Sequence, residues 1–249
     1  MDISYSVTEA NRKLYNKLSD NYEVIDGRRS EDLCIWLRKR LKKVIEIVNR
    51  EANLLDIGCG GGFVVRAAGG LFSKIYGVDI SENILKTLHS NGGFPICADA
   101  RQLPFKDKSI DVAVMFSVIH HFYDYRPILN EIYRVLKASG VIYIDHDMDR
   151  QFFKNFHFFV NAYRKFSRKE RLLRNTNIEV ELYKLSEFHS NGIDSEELKD
   201  YLISLGFKIV EAYHHWYGLS KPTNFIFGDK RFLKGTAPIS GFVAQKVNG

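Results

Sequence analysis

A short apolar run that leads directly into a glycine turn constrains this chain more than any other feature. The run Leu54–Ile57 is typical of a buried strand, glycines follow between Gly58 and Gly62, and a helical pattern begins at Phe63. By this succession of strand, glycine turn and helix, an α/β sheet presents backbone N–H groups to a ligand at a helix N-terminus. The stretch therefore predicts a nucleotide-like cofactor at this turn.

The alternation of strands and helices continues along the chain. Further strands are predicted at Lys74–Asp79, Pro95–Ala98, Ile110–Met115, Gly140–Ile144, Phe207–Tyr213 and Ile239–Val247. Strands that alternate with helices form parallel sheets with right-handed crossovers. We therefore predict an α/β fold whose Rossmann-like, doubly wound sheet is mostly parallel. The last strand could return antiparallel beside the sixth.

Helix start signals fall between these strands. Ser81 and Asp194 occupy N-cap positions, and Pro127 stands in a plausible first turn. Before the first strand, Ser30 precedes apolar residues spaced three and four apart, which predicts an amphipathic helix with a solvated basic face.

The length of 249 residues suits a single domain with additions. Its predicted parts are a helical N-terminal cap (1–50), a cofactor-binding core (51–148), a cap insertion (149–193) and the C-terminal part of the sheet (194–249). The insertion follows the fifth strand, on the side where open α/β sheets bind ligands. Tyr15 and Tyr22 lie in a polar stretch of the N-terminal cap that could fold over such a site.

Two rival cofactor motifs are absent at the glycine turn. A dinucleotide fingerprint needs a third small residue, but Phe63 or Val65 stands at that position, and the phosphate-loop sequence G-K-[ST] is missing. Instead Asp56 precedes the turn. A carboxylate there would repel a pyrophosphate and suits a cationic ligand.

Two further carboxylates end the second and third strands. Asp79 lies 21 residues after Gly58, where an acidic side chain can accept both ribose hydroxyls. Asp99 can accept a hydrogen bond from an exocyclic adenine amine, with Ile80 and Ala100 flanking the ring. The inferred ligand has an adenine, a ribose and a positively charged third part.

Five segments resemble class I S-adenosylmethionine-dependent methyltransferases, most closely the branch of ubiquinone/menaquinone-biosynthesis and related small-molecule enzymes. These segments are Asp56–Gly62, Gly77–Ser81, Asp99–Phe105, Phe105–Met115 and Ile132–Lys137. The similarity is good over about residues 50–147 and loose over 194–213. It implies a methyltransferase with S-adenosyl-L-methionine as cofactor and S-adenosyl-L-homocysteine as product.

The resemblance also implies roles for single residues. Gly58, Cys59 and Gly60 would line the methionine part of the cofactor, Asp56 would hold the turn, and Ser117 would lie near the methionine part. For the carboxylates at 79 and 99 it implies the ribose and adenine contacts already inferred, with the alanine at 100 beside the adenine.

Histidines follow three of the predicted strands and are candidate general bases. They comprise His120 with His121 after the fourth strand, His146 after the fifth, and His214 with His215 at the end of the sixth. Strand ends of an open sheet converge on one crevice, so we expect these positions to meet there. The catalytic candidates are His121, His146 and His215, although for any one of them a structural role, such as capping or a backbone hydrogen bond, is the leading interpretation.

No metal is predicted. The stretch Asp145–Asp147 with Asp149 could supply metal ligands, as in catechol-type enzymes. A matching ligand after the fourth strand is missing, because Phe116 and Ser117 stand there.

The cap insertion combines aromatic and basic residues. Aromatic residues at 152, 156, 159, 163 and 166 are spaced as one stripe on a helix, and between Arg150 and Arg174 eight basic residues face one acidic residue. The simplest interpretation is a cap helix that packs its stripe onto the domain. Alternatives are a lid over an apolar or anionic substrate, attachment to an anionic membrane surface, and, less favoured, nucleic-acid binding.

The sequence thus predicts a methyltransferase for a small organic, apolar or anionic acceptor. The alternatives are a tRNA or protein methyltransferase that uses residues 150–174, or a non-catalytic cofactor-binding partner subunit. Three scattered cysteines make no disulfide framework, and no secretory signal or membrane-spanning run is visible. We therefore expect a cytoplasmic protein, with peripheral membrane contact open through 150–174.

Overall fold

The computed structural model describes residues 3–19, 22, 30–48, 51–86, 88, 92–166 and 179–247, except the side chain of Phe166. The helices of this part of the chain are α1 (Ile3–Leu18), α2 (Glu31–Val48), α3 (Phe63–Ala68), α4 (Glu82–Leu85), α5 (Arg126–Val135), α6 (Arg150–Phe166), α7 (Val180–Ser186), α8 (Ser195–Ser204) and α9 (Lys221–Phe227). Its strands are β1 (Asn53–Ile57), β2 (Lys74–Asp79), β3 (Phe94–Cys97), β4 (Ile110–Phe116), β5 (Leu136–Met148), β6 (Phe207–His215) and β7 (Ile239–Lys246). The basic residues predicted at 168, 169, 171 and 174 lie outside the described residues.

The strands form one sheet in the order β3-β2-β1-β4-β5-β7-β6. Strands β1 to β5 pair in parallel. Strand β7 lies between β5 and β6 and is antiparallel to both. The predicted α/β, Rossmann-like sheet with a last antiparallel strand is confirmed, and β6 forms one edge of it.

Strands β1 and β2 have the predicted bounds and β3 and β4 differ from them by one residue, but β5 and β6 run further than expected. Strand β5 covers 13 residues and ends at Met148, whereas the prediction stopped at Ile144. Strand β6 ends at His215, two residues later than predicted. The added residues are polar, but they are hydrogen-bonded inside the protein, so their burial in a strand costs little.

A bulge at His146 reverses the direction of side chains along β5. This residue has a φ of 68°, and the pairing with β7 shifts between Ile144 and Asp147. One extra residue moves every following side chain to the other face of the sheet. Asp145 therefore shares a face with Tyr143, whereas Asp147 reaches the opposite face.

Helices cover both faces of the sheet. On one face, α2 and α3 pack against the strands in a cluster that includes Leu41 and Leu54. On the other face, α5 and α8 pack in a cluster that includes Ile132 and Leu55. Adjacent residues of β1 thus serve opposite faces, as the two-residue period of a strand requires, and both sides of this apolar strand are buried.

Helix α1 crosses the carboxyl ends of the strands. Its Leu14 packs near Leu182 of α7. Two residues further along, Asn16 Oδ1 accepts hydrogen bonds from Ser81 Oγ at 2.7 Å and from the backbone N–H of Asn83 at 3.2 Å. Helix α1 therefore bridges α7 and the start of α4 above the sheet edge where ligands bind.

Candidate functional site

A cavity opens at the carboxyl ends of the parallel strands, beneath α1. Its empty volume is about 890 Å³, which includes space open to solvent. Of the predicted cofactor residues, seven line it: Gly58, Gly60, Asp79, Ile80, Asp99, Ala100 and Ser117. The structure thus brings together residues that the sequence spreads over four loops.

The glycine turn is shaped so that only glycine fits. Gly58 and Gly60 have φ values of 65° and 50°. A Cβ on Gly58 would lie 2.2 Å from Val118 Cγ2, and one on Gly60 would lie 2.5 Å from the hydroxyl of Tyr22. The turn is held to β2, because the N–H of Gly58 donates to the carbonyl of Val78 at 2.8 Å. The absence of side chains therefore allows Val118 and Tyr22 to lie directly against the turn.

Asp79 is held by the two loops on either side of it. Its carboxylate accepts hydrogen bonds from the backbone N–H groups of Gly60 and Ser81, each at 2.9 Å. Burial raises the pKa of Asp79, and these hydrogen bonds only partly offset the effect. Each oxygen retains lone pairs that can accept a hydroxyl hydrogen from the cavity.

Asp99 is already paired with a guanidinium. Arg101 donates to it through Nε and Nη2, at distances of 3.0 and 2.6 Å to Oδ2. Burial alone would raise the pKa of Asp99, but the hydrogen bonds and charge of Arg101 lower it below its ordinary value. Arg101 also donates to the hydroxyl of Ser4 at 2.9 Å, which ties α1 to this side of the cavity.

Asp56 and Cys59, two further predicted cofactor residues, do not line the cavity. Asp56 is buried at 1% exposure behind the turn. Burial, together with the charges of Asp79 and Asp56, raises the pKa of the Cys59 thiol well above its ordinary value. This thiol is therefore neutral, and its location against Gly77 makes it a packing group. The cofactor contact expected of Cys59 can come only from its backbone.

Of the three catalytic candidates His121, His146 and His215, the first lines the cavity. Its Nδ1 lies 2.7 Å from the carbonyl of Ser186, which can only accept a hydrogen bond. Nδ1 therefore carries the proton, and in the neutral ring Nε2 holds the lone pair. The hydroxyl of Tyr15 lies 3.1 Å from Nε2 and donates to it.

His120 also lines the cavity and is held by a buried carboxylate. Its Nδ1 lies 2.6 Å from Oδ1 of Asp147, which is 2% exposed. Its Nε2 lies 3.6 Å from Oε2 of Glu187 in the cavity wall. Since the rings of His120 and His121 have centroids 3.9 Å apart, the two histidines form one polar end of the cavity.

The expectation that all histidine positions would meet in one crevice is wrong. His146 and His215 do not line this cavity and instead bond to Asp145, at 3.0 and 2.9 Å. The hydroxyls of Tyr143 and Tyr213 donate to the same carboxylate at 2.6 Å. The β5 bulge separates the two groups, because it turns Asp147 to the face that carries His120 and His121 and leaves Asp145 on the face beneath α2.

Two residues of the polar end were not predicted. The sequence singled out Asp147 only as a possible metal ligand. Its contact with His120 depends on the bulge at His146. Glu187 lies in the cap insertion without a motif around it. The cavity also confirms that Tyr15 and Tyr22 fold over a site, since both line it.

Two groups of described residues bring histidine and carboxylate atoms within 4.8 Å of one another. They are His120, His121 and Glu187, and, separately, Asp145, His146 and His215. Hydrogen bonds and ion pairs within these groups account for much of this spacing. The expectation of no bound metal stays a prediction.

Comparison with known proteins agrees with this geometry. Residues 55–144 match the family described as methyltransferase domain. An uncharacterized protein of Methanocaldococcus jannaschii is 29% identical over 246 residues, which are 95% of this chain and 90% of that protein. A demethylmenaquinone methyltransferase of Listeria welshimeri is 31% identical over 140 residues, which are 51% of this chain and 58% of the relative. The chain thus spans little more than half the length of that enzyme.

Among solved structures, the plantazolicin methyltransferase BamL, in complex with a desmethylPZN analog and S-adenosylhomocysteine, has a similar fold. It superposes with a TM-score of 0.63 at 18% identity and covers 99% of this chain and 100% of its own. The fold, together with the glycine turn that lines the cavity, defines a Rossmann-like domain that binds a nucleoside cofactor. Residues 55–144 thus form a methyltransferase domain of the class I, S-adenosylmethionine-dependent type. Its cofactor is S-adenosyl-L-methionine.

Proposed function

We propose that this protein transfers a methyl group from S-adenosylmethionine to a small organic acceptor that binds beside His120 and His121. The observation that carries the proposal is that one cavity holds both the residues of the cofactor site and this histidine pair. A donor and an acceptor bound in the two ends of one cavity are held close together, and such positioning supplies much of the catalysis in a displacement reaction.

The residues at the cofactor end fit S-adenosylmethionine. The turn at Gly58 and Gly60 lines the cavity without side chains of its own, and we assign the methionine part to it. Asp79 would bind the ribose hydroxyls and Asp99 the adenine amine, with Ser117 near the methionine part. When bound, the cofactor supplies a methyl group on a sulfonium sulfur and leaves as S-adenosylhomocysteine.

His121 is our candidate for the general base. Its Nε2 holds a lone pair at the cavity, because Nδ1–H is committed to Ser186. An acceptor hydroxyl or amine that replaces the hydroxyl of Tyr15 at Nε2 would be placed to lose its proton there. We assign this role to His121 rather than to His146 or His215, whose rings bond to Asp145 outside the cavity.

Helix α1 contributes by excluding water from the reacting groups. Asn11 Nδ2 donates to the carbonyl of His121 at 2.9 Å, and Thr8 and Tyr15 line the same side of the cavity. A site closed in this way limits competing hydrolysis and strengthens the hydrogen bonds inside it. We therefore propose that the N-terminal helix is a cap over the site.

The charges of the cavity favour some acceptors over others. Asp147 and Glu187 flank His120. Because both are carboxylates, this end of the cavity suits a part of the acceptor molecule that is neutral or cationic. Apolar Val118 and Phe122 line the neighbouring wall. We propose an acceptor with an apolar body and a hydroxyl or amine, and we disfavour an anion at this point.

The test is methyl transfer from labelled S-adenosylmethionine to fractionated metabolites, membrane extract, total RNA and protein. We expect labelled product from a metabolite or membrane fraction, and Asp79→Asn should abolish it together with cofactor binding in calorimetry. Lys199→Gln, on the exposed side of α8, serves as the matched control. Label in RNA or protein alone would overturn the small acceptor, and binding without transfer to any fraction would favour a cofactor-binding partner subunit.

A further inference from the structure

The chain exposes large apolar side chains on two neighbouring segments. On α6, Phe158, Phe159 and Tyr163 are 73%, 70% and 62% exposed, and on α9, Phe225 and Ile226 are 92% and 60% exposed. We call these five residues the aromatic surface. Monomeric soluble proteins rarely expose large side chains in groups, and such groups mark interaction sites.

Helix α6 does not pack as its sequence predicted. The first aromatic residue of the stripe, Phe152, is buried at 5% exposure, but Phe156 is 38% exposed and has non-helical angles that kink the helix. Beyond the kink, Phe159 and Tyr163 point to solvent. The expected packing of the whole stripe onto the domain is therefore wrong, because Phe159 and Tyr163 are exposed. The side chain of Phe166, the last residue of the stripe, lies outside the described residues.

The two segments lie side by side. Trp216, just after β6, makes an edge contact with Phe152 of α6 and stacks on Phe227 of α9, with ring centroids 5.2 and 5.0 Å apart. Asn155 Nδ2 of α6 also donates to the carbonyl of Gly235 at 3.0 Å. These contacts place the beginning of α6 beside α9 and the segment that follows it.

Basic residues dominate the same two segments. Residues 150–166 and 216–236 contain eight Lys or Arg residues (Arg150, Lys154, Arg164, Lys165, Lys221, Lys230, Arg231 and Lys234) and one acidic residue, Asp229. Six of them are exposed: Lys154, Lys165, Lys221, Lys230, Arg231 and Lys234. Exposed aromatic and aliphatic groups surrounded by lysines are complementary to the interface of an anionic bilayer, where the rings enter the acyl boundary and the ammonium groups meet lipid phosphates.

The aromatic surface belongs to the edge of the sheet that carries the cavity. Both segments follow the carboxyl end of a strand, β5 or β6. Arg164 of α6 donates to the carbonyl of Ser190 and, at 3.3 Å, to Oδ1 of Asn191. The same loop contributes Glu187 to the cavity wall. No helix of the described residues is long and apolar enough to cross a membrane, so contact through these residues would be peripheral.

We propose that the aromatic surface docks the protein on anionic lipid bilayers. This interaction goes beyond methyl transfer and does not depend on it. It uses five apolar side chains and the surrounding lysines, and it places the cavity edge next to the lipid surface.

The test is co-sedimentation of the full chain with vesicles of phosphatidylcholine alone and of phosphatidylcholine mixed with phosphatidylglycerol. We expect binding to the mixed vesicles. Combined Phe158→Ser, Phe159→Ser and Phe225→Ser should weaken it at least about tenfold, since each ring loses its apolar burial. Combined Lys154→Gln, Lys221→Gln and Lys230→Gln should reduce the preference for phosphatidylglycerol. These positions are exposed, so circular dichroism should stay unchanged.

Matched controls are Ile203→Ser and Val210→Ser, which replace residues with 51% and 45% exposure on α8 and β6. They should bind vesicles like the unaltered chain. Absence of vesicle binding by the unaltered chain would overturn the proposal, as would equal binding by the triple serine variant. Self-association without lipid that the triple serine variant abolishes, measured by sedimentation velocity, would assign the surface to a second copy of the chain instead.

Discussion

Asp145 and Asp147 lie two residues apart on β5 and yet serve opposite faces of the sheet. The first accepts hydrogen bonds from two tyrosines and two histidines beneath α2, and the second holds His120 at the cavity. The bulge at His146 causes this division. One carboxylate is therefore placed to stabilise the fold, and the other is placed to serve the site.

We expect Asp145→Ala to destabilise the protein by about 3–5 kcal/mol, because it leaves several buried donors without their acceptor. Asp145 is completely buried. Urea unfolding followed by circular dichroism measures the loss. Asp200→Ala, at an exposed position of α8, is the control and should change the free energy of unfolding by less than about 0.5 kcal/mol. Equal effects of the two substitutions would show that the buried cluster does not stabilise the fold.

Asp147→Asn should act on methyl transfer instead of cofactor binding. The amide can no longer accept the Nδ1–H of His120 as an anion does, so the ring loses its orientation. We expect kcat to fall by roughly ten- to a hundredfold, as for other carboxylates that orient a histidine, while calorimetry gives unchanged affinity for S-adenosylmethionine. Once an acceptor is in hand, initial rates at saturating cofactor measure the effect.

His121→Asn provides the direct test of the proposed base. Loss of a general base lowers rates by about 10²–10⁴, and we expect a fall in this range with cofactor affinity retained. His215→Asn is the matched comparison, since it removes a predicted catalytic histidine that lies outside the cavity. It should lower the free energy of unfolding and leave kcat within a few-fold. The reverse pattern would move the base to the buried cluster.

Gly60→Ala should weaken cofactor binding for two separable reasons. The residue has a φ of 50°, which costs a side-chain residue about 1–2 kcal/mol, and the new Cβ would meet Tyr22. In the double variant with Tyr22→Ala, the clash is removed while the backbone cost remains. Calorimetry should therefore show partial recovery of affinity. Full recovery would mean that the backbone conformation contributes nothing.

Acid should destabilise the protein by protonating carboxylates that are paired with histidine or arginine side chains in the folded state. Burial alone would raise the pKa of Asp145, but neighbouring His215 and the hydrogen bonds of His146 and His215 lower it well below its ordinary value. The pKa of Asp99 is also lowered, against the effect of burial, by Arg101. With folded-state values below the unfolded ones, these groups stabilise the fold fully above the unfolded value of about 3.9.

This stabilisation should be lost as pH falls from about 4 through the folded-state values. Asp79 has a raised pKa because of burial and contributes with the opposite sign. Thermal unfolding between about pH 2 and 6 measures the balance. We expect the midpoint to drop steeply below pH 4, and a smaller drop for Arg101→Gln, in which Asp99 has lost its partner. A midpoint that is independent of pH would contradict the assignment.

Much of the fold could be predicted because periodicity and turn chemistry agree in the core. Strand β1 and helix α3 have the predicted bounds, and Ser81 caps α4 as expected. Strand β5 was predicted too short, because Asp145 and Asp147 look like loop residues until their partners are known. Those partners come from β6 and from the turn after β4, far away in sequence. No local pattern shows such contacts.

The candidate site also has one part that could be predicted from the sequence and one part that could not. Gly58, Gly60, Asp79 and Asp99 could be located because a nucleoside cofactor requires their chemistry at strand ends, and all four line the cavity. The arrangement of residues at the acceptor end of the cavity could not be predicted. It depends on the bulge at His146 and on how the inserted segment folds back, and both are set by tertiary packing.

Helix α1 has a consequence for the kinetics of ligand exchange. It is tied to Arg101 through Ser4, to His121 through Asn11, and to Ser81 through Asn16. If a ligand enters the cavity beneath this helix, these three hydrogen bonds must break first. Association should then be limited by how often α1 opens, so that observed binding rates level off at high ligand concentration instead of rising in proportion.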